Sequence, residues 1–259
     1  MRALICISAA IFIISCKHNN DRLDDTQGNK YNIRVDSIAD AELSRLTGSM
    51  ESYSIDGVSD SLWLLMNHSK EKYYIDTASM NVVFQGEDYQ SKIIINHRLG
   101  TFYGINEGEF GGRLAFTRSN GLNTTLLDEN VWAIIPFGDS IVVLTGLSHL
   151  GLDRGSAYIL KQVGDAFDVY YDIQLGGAPE ASYRYRDTIF IATSTSVEAV
   201  YDKKSNVLIT QMRWGILYPA SIYVNSKYVF VGARGCLFVV NKLTKTAMLY
   251  RKNASTAGE

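Results

Sequence analysis

Beyond Ser52 the chain alternates short polar pairs with short apolar runs, and the alternation repeats. Four segments share one form: Asp60-Ser-Leu-Trp-Leu-Leu, Asp139-Ser-Ile-Val-Val-Leu, Asp187-Thr-Ile-Phe-Ile-Ala and Ser226-Lys-Tyr-Val-Phe-Val. Ser91-Lys-Ile-Ile-Ile is a fainter fifth copy. A polar pair feeding an apolar run reads as a turn leading into a buried strand. A second signal follows downstream, an apolar stretch, then Asp or Asn, two residues, then Ser or Thr. It occurs from Tyr73 to Ser79, Val200 to Ser205 and Val239 to Thr244. Asp or Asn at its head caps a turn through its side chain, which suits a hairpin.

The two signals keep register. With Thr117 and Lys161 as the matching points in the other copies, the series 76, 117, 161, 202, 241 steps by 41, 44, 41 and 39 residues. A period near 40 with about four short strands per copy predicts an all-β fold, a β-propeller of five four-stranded blades. A sixth blade requires residues 31–56 to form a degenerate copy; a β-sandwich, the alternative fold, requires no constant step. The fourth copy shows its strands most clearly, at Ser182 to Tyr185, Ile189 to Thr193, Val197 to Tyr201 and Val207 to Met212.

The first fifty residues follow another pattern. Arg2 precedes an apolar run from Ala3 to Ile14, twelve residues and too short to span a bilayer as a helix. It ends Ile13-Ile14-Ser15-Cys16, which resembles the bacterial lipobox. The resemblance implies a signal peptide over residues 1–15, lipidation of Cys16, and an envelope protein held in the membrane by its N-terminal lipid. Lys17 stands where Asp would resemble an inner-membrane retention signal, so the expected address is the outer membrane, facing the periplasm. Residues 16–50 then carry the lipidated cysteine and a polar tether, with a strand at Tyr31 to Val35 and a short helix at Ala39 to Leu46, and 51–259 form the propeller domain. Cys236, left alone in the exported domain, is expected to be a small buried hydrophobe.

The segment Gly235-Cys-Leu-Phe238-Val-Val-Asn241-Lys-Leu-Thr244-Lys-Thr-Ala-Met-Leu-Tyr250 resembles the repeat of quinoprotein-type (PQQ-like) propellers, which runs Gly, apolar pair, Asp, two residues, Thr-Gly-Lys, then Trp. That repeat occurs in quinone-dependent dehydrogenases and in the propeller lipoprotein of the outer-membrane assembly machinery. Lys245 replaces the Gly and Tyr250 the Trp, and the match is good over one blade only. The resemblance implies blade architecture. The calcium ligands, vicinal cysteines and acidic motif of the dehydrogenases are missing, so no cofactor is expected.

Composition narrows the function. The chain is 46% hydrophobic with a formal net charge of −2 and no basic block, which argues against nucleic acid as a partner. No nucleophile elbow, phosphate loop or zinc helix occurs. His68, His97 and His149 each follow an expected second strand, but their offsets differ, and no metal site is expected from them. Two stretches read as long loops on one face, His97 to Gly112 and Leu147 to Gly155. They carry Arg98, Leu99, Phe102, Tyr103, Phe110, Arg113, His149 and Arg154, a mixture of arginine and aromatics typical of interface hot spots. The expectation is a non-enzymatic envelope lipoprotein whose loop face binds a protein partner, as an inhibitor or immunity protein of a periplasmic toxin or hydrolase. The alternatives are an envelope-assembly scaffold and a propeller enzyme acting on a glycan or lactone.

Overall fold

A computed structural model describes residues 37–85, 92–210 and 217–252. The expected signal segment over residues 1–15, Cys16 and the strand expected at Tyr31 to Val35 lie outside the described residues. The fold is all-β and propeller-like, built of consecutive antiparallel sheets. Sheet one runs β4 (Lys92–His97), β5 (Gly100–Asn106), β6 (Gly112–Arg118), β7 (Asn123–Leu127). Sheet two runs β8 (Val131–Phe137), β9 (Ser140–His149), β10 (Leu152–Val163), β11 (Ala166–Leu175). Sheet three holds β12 (Pro179–Tyr185), β13 (Thr188–Thr193), β14 (Val197–Tyr201) and β15 (Lys204–Ile209). Sheet four holds β16 (Ser221–Val224), β17 (Tyr228–Ala233), β18 (Cys236–Asn241) and β19 (Ala247–Lys252), with β1 (Met50–Ser54) paired outside β19. A fifth unit is the hairpin β2 (Lys72–Asp76) and β3 (Asn81–Gln85).

The turn chemistry does what its residues dictate. Asn241 Oδ1 accepts from the backbone N–H of Leu243 and Thr244, and Asp76 Oδ1 from that of Ala78. Each closes a hairpin at a point the sequence period marks. The first strand of each unit packs on the second strand of the unit before it, β8 on β5, β12 on β9, β16 on β13 and β2 on β17, and on that unit's first strand as well. Three of these junctions need a glycine. A Cβ on Gly104 would stand 2.6 Å from Val131 Cγ1, on Gly146 2.6 Å from Pro179 Cδ, and on Gly232 1.9 Å from the Tyr73 carbonyl oxygen. Positions 104, 146 and 232 are spaced 42 and 86, one and two periods of the repeat.

Five four-stranded blades are not what the first copy forms. Asp60 to Leu65, expected as a strand, lies in helix α2 (Asp60–Asn67), capped by Ser59, whose hydroxyl accepts from Leu62 N–H. The apolar run suits a helix because Trp63 and Met66, three apart, are buried while Leu64 and Leu65 face out. Trp63 stacks on Phe238, so α2 fills space beside sheet four instead of extending a sheet. Helix α1 (residues 37–47) includes the expected Ala39 to Leu46 helix. Its Ala39, Leu43 and Leu46 join β2 and β3 in covering the opposite face of sheet four. Cys236 is a free, buried thiol, and burial pushes its pKa up.

Candidate interaction end

Meandering sheets have two ends. The upper end carries the turns β5–β6, β9–β10 and β13–β14 and the connections β7–β8 and β11–β12; the lower end carries β4–β5, β8–β9, β10–β11 and β12–β13. At the upper end, residues 107–111 form a tight 3-10 turn pinned from both sides. Gly108 N–H donates to Asn106 Oδ1 at 3.0 Å, and Asn130 Nδ2 donates to the Gly108 carbonyl at 2.7 Å. Glu109 Oε2 lies 2.8 Å from His149 Nε2, joining this turn to the tip of the β9–β10 hairpin. Apolar side chains stand out around that link: Phe110 is 83% exposed, Leu150 91% and Leu152 47%. Arg154 lies 3.9 Å from Glu129 beside them.

A second polar group locks the β11–β12 connection. Asp153 accepts from Ser194 Oγ at 2.6 Å and from Ala178 N–H at 2.9 Å. Glu198, buried, accepts from Gly176 N–H, Ser196 Oγ and Ser205 Oγ. These carboxylates are consumed by the loop they hold. Glu180 on β12 is different. Burial pushes its carboxyl up to about 7, Lys72 opposes the rise, and the Asp153 charge adds to it.

The structure divides the sequence-predicted residues among four places. Phe110, His149 and Arg154 share the upper end. Arg98 and Leu99 form the β4–β5 turn at the lower end, where Arg98 Nη2 donates to Gln162 Oε1 and Leu99 packs on the core. Phe102 is a core residue, fully buried against Phe116 and Phe167, because its position on β5 faces sheet two. Tyr103 and Arg113 lie on the other face of sheet one. The supposed loop from His97 to Gly112 is mostly strand, since Gly100 to Asn106 pairs on both edges. Likewise Leu147 to Gly155 is the end of a long hairpin. The histidines do not converge: His68 ends α2, His97 lies at the lower end with its ring against Phe167, and His149 lies at the upper. Burial lowers the pKa of His97. Reading missed Leu150 and Leu152, which the Leu-Gly-Leu tip marks as apolar residues around a glycine turn.

No family model matches the chain, and no curated protein does. Among solved structures it is similar to Hsv2 of Kluyveromyces lactis, with a TM-score of 0.36 and 12% identity over 68% of this chain and 57% of that one. It is also similar to an engineered GH43 glycoside hydrolase with endo-xylanase and exo-arabinofuranosidase activity, with a TM-score of 0.32 and 10% identity over 61% of this chain and 39% of that one. The chain thus matches 57% and 39% of the length of these two structures, and its architecture rests on its own strand pairings.

Proposed function

We propose that this is a lipid-anchored envelope protein that binds a protein partner through its upper end, without chemistry of its own. One observation carries the reading: Phe110, Leu150 and Leu152 stand in solvent on two turns that the contact between His149 and Glu109 holds together. Apolar side chains kept exposed on braced turns cost solubility and gain nothing for the core, whereas an interface uses them. An inhibitor or immunity role suits protruding tips that enter a partner's cleft; an assembly scaffold is the alternative within the same class.

The test is affinity capture by the full chain from envelope and secreted fractions. A stoichiometric partner retained by wild type and lost in Phe110→Asp/Leu150→Asp supports the reading; a partner indifferent to that double change refutes it. Mass spectrometry of Cys16 checks the anchor. A second reading, an enzyme acting on a glycan or lactone, draws on Glu180, whose carboxyl rises to about 7 and so holds a proton near neutrality. Glycan and lactone hydrolysis unchanged in Glu180→Gln would dispose of it.

A further inference from the structure

Sheet one packs one face on sheet two, and its other face carries an apolar strip that the described residues leave exposed. Ile93, Ile95, Phe102, Leu114 and Phe116 pack toward sheet two. On the other face the strand register sets side chains in rows. Lys92, Ile105 and Arg113 lie opposite one another on β4, β5 and β6; Ile94, Tyr103, Ala115 and Thr125 form the next row; Asn96, Thr101, Thr117 and Asn123 the third. An antiparallel sheet with one solvated face is normally polar there. Here Ile94 is 60% exposed and Tyr103 38%. The middle rows border a cleft of about 510 Å³, ample for a small ligand.

The charge on this face is one-sided. Lys92 and Arg113 flank Ile105 at one end of the strip, and no carboxylate lines the cleft among the described residues. Neither cation has a hydrogen-bond or ion-pair partner among those residues. The three rows extend about 14 Å along the strands. Two cations, then an apolar floor, then amides and hydroxyls complement a molecule with an anionic head and one apolar chain.

We infer that this face of sheet one binds a single-chain fatty carboxylate, its head between Lys92 and Arg113 and its chain along Ile105, Ile94, Tyr103 and Ala115. Arg113 offers a planar pair of donors to a carboxylate, and Lys92 adds a point charge. Nothing in this site depends on the upper end or on its partner.

The test is photolabelling of the full chain, held in phosphatidylcholine nanodiscs, by a diazirine-bearing palmitate. A probe of equal length ending in trimethylammonium serves as the comparison. Label is expected within residues 93–115, with the carboxylate probe well above the cationic one. Lys92→Glu/Arg113→Glu should lower it about tenfold, the loss of about 1.4 kcal/mol, whereas Lys204→Glu at a distant exposed site should leave it unchanged. Ile94→Asp, which keeps both cations, should also remove the label, and circular dichroism verifies that each variant is folded. Label spread over the exposed surface, equal labelling by the cationic probe, or indifference to the double charge reversal would each overturn the assignment.

Discussion

Glu180 sets how stability should vary with pH. Its carboxyl sits on the first strand of sheet three, half-buried, and its pKa rises from 4.5 to about 7 chiefly through burial. In the unfolded chain the same group releases its proton near 4.5. Between those values the folded state binds the proton and the unfolded state does not, so stability falls as pH rises through the window. At about 1.4 kcal/mol per tenfold the loss reaches about 3 kcal/mol above neutrality. Water reaching this half-buried group screens part of it, and about 2 kcal/mol is the figure to seek. Glu180→Gln keeps the shape and cannot ionise. Urea unfolding at about pH 8 should show the variant more stable by about 2 kcal/mol, and at about pH 4 the two proteins should match. A gain of equal size at both pH values would mean the glutamine simply packs better. No gain at either would mean the carboxyl is solvated as a surface group, and the reasoning would fail.

Two further changes probe the core and a junction between units. Phe102→Ala removes a fully buried ring from the cluster with Phe116 and Phe167 and should cost about 3–5 kcal/mol in urea unfolding; a cost under about 1 kcal/mol would mean that Phe102 is not a core residue. Gly232→Ala sets a methyl against the Tyr73 carbonyl and should destabilise by about 1–3 kcal/mol, with protease cuts appearing first near β2; an unaltered melting curve would mean the junction has slack.

The sequence made the repeat legible because its period is written in turn chemistry, and turns are local. Asn241 and Asp76 cap hairpins wherever the surrounding chain goes. The first copy misled because an apolar run of five residues, Leu62 to Met66, fits a strand or a buried helix equally, and Ser59 as a cap tips it to helix. Position in space also departed from position in the repeat: β2 and β3 hold the third-and-fourth-strand signal, yet β2 meets β17 as a first strand would. Of the residues expected at an interface, Phe110, His149 and Arg154 lie together at the upper end because exposed tips carry their own turn signals. Phe102 was misassigned because reading a strand as a loop loses the alternation that separates it from Tyr103. The row of Lys92, Ile105 and Arg113 was out of reach, since it exists only once three strands are in register.

Strand β1 has a consequence for how the molecule forms. Met50 pairs with Lys252 and Ser54 with Met248, so a strand from near the start of the described chain completes the sheet made by its end. Such a contact closes a loop of nearly the whole domain and belongs late in folding. During synthesis the strand must wait, its edge unpaired, until β19 is made. A chain cut short after Asn241 would lack β19 as the partner for β1 and leave β18 as an open edge. It would be a substrate for proteases or a seed for aggregation, so the six residues of β19 weigh more than their number suggests.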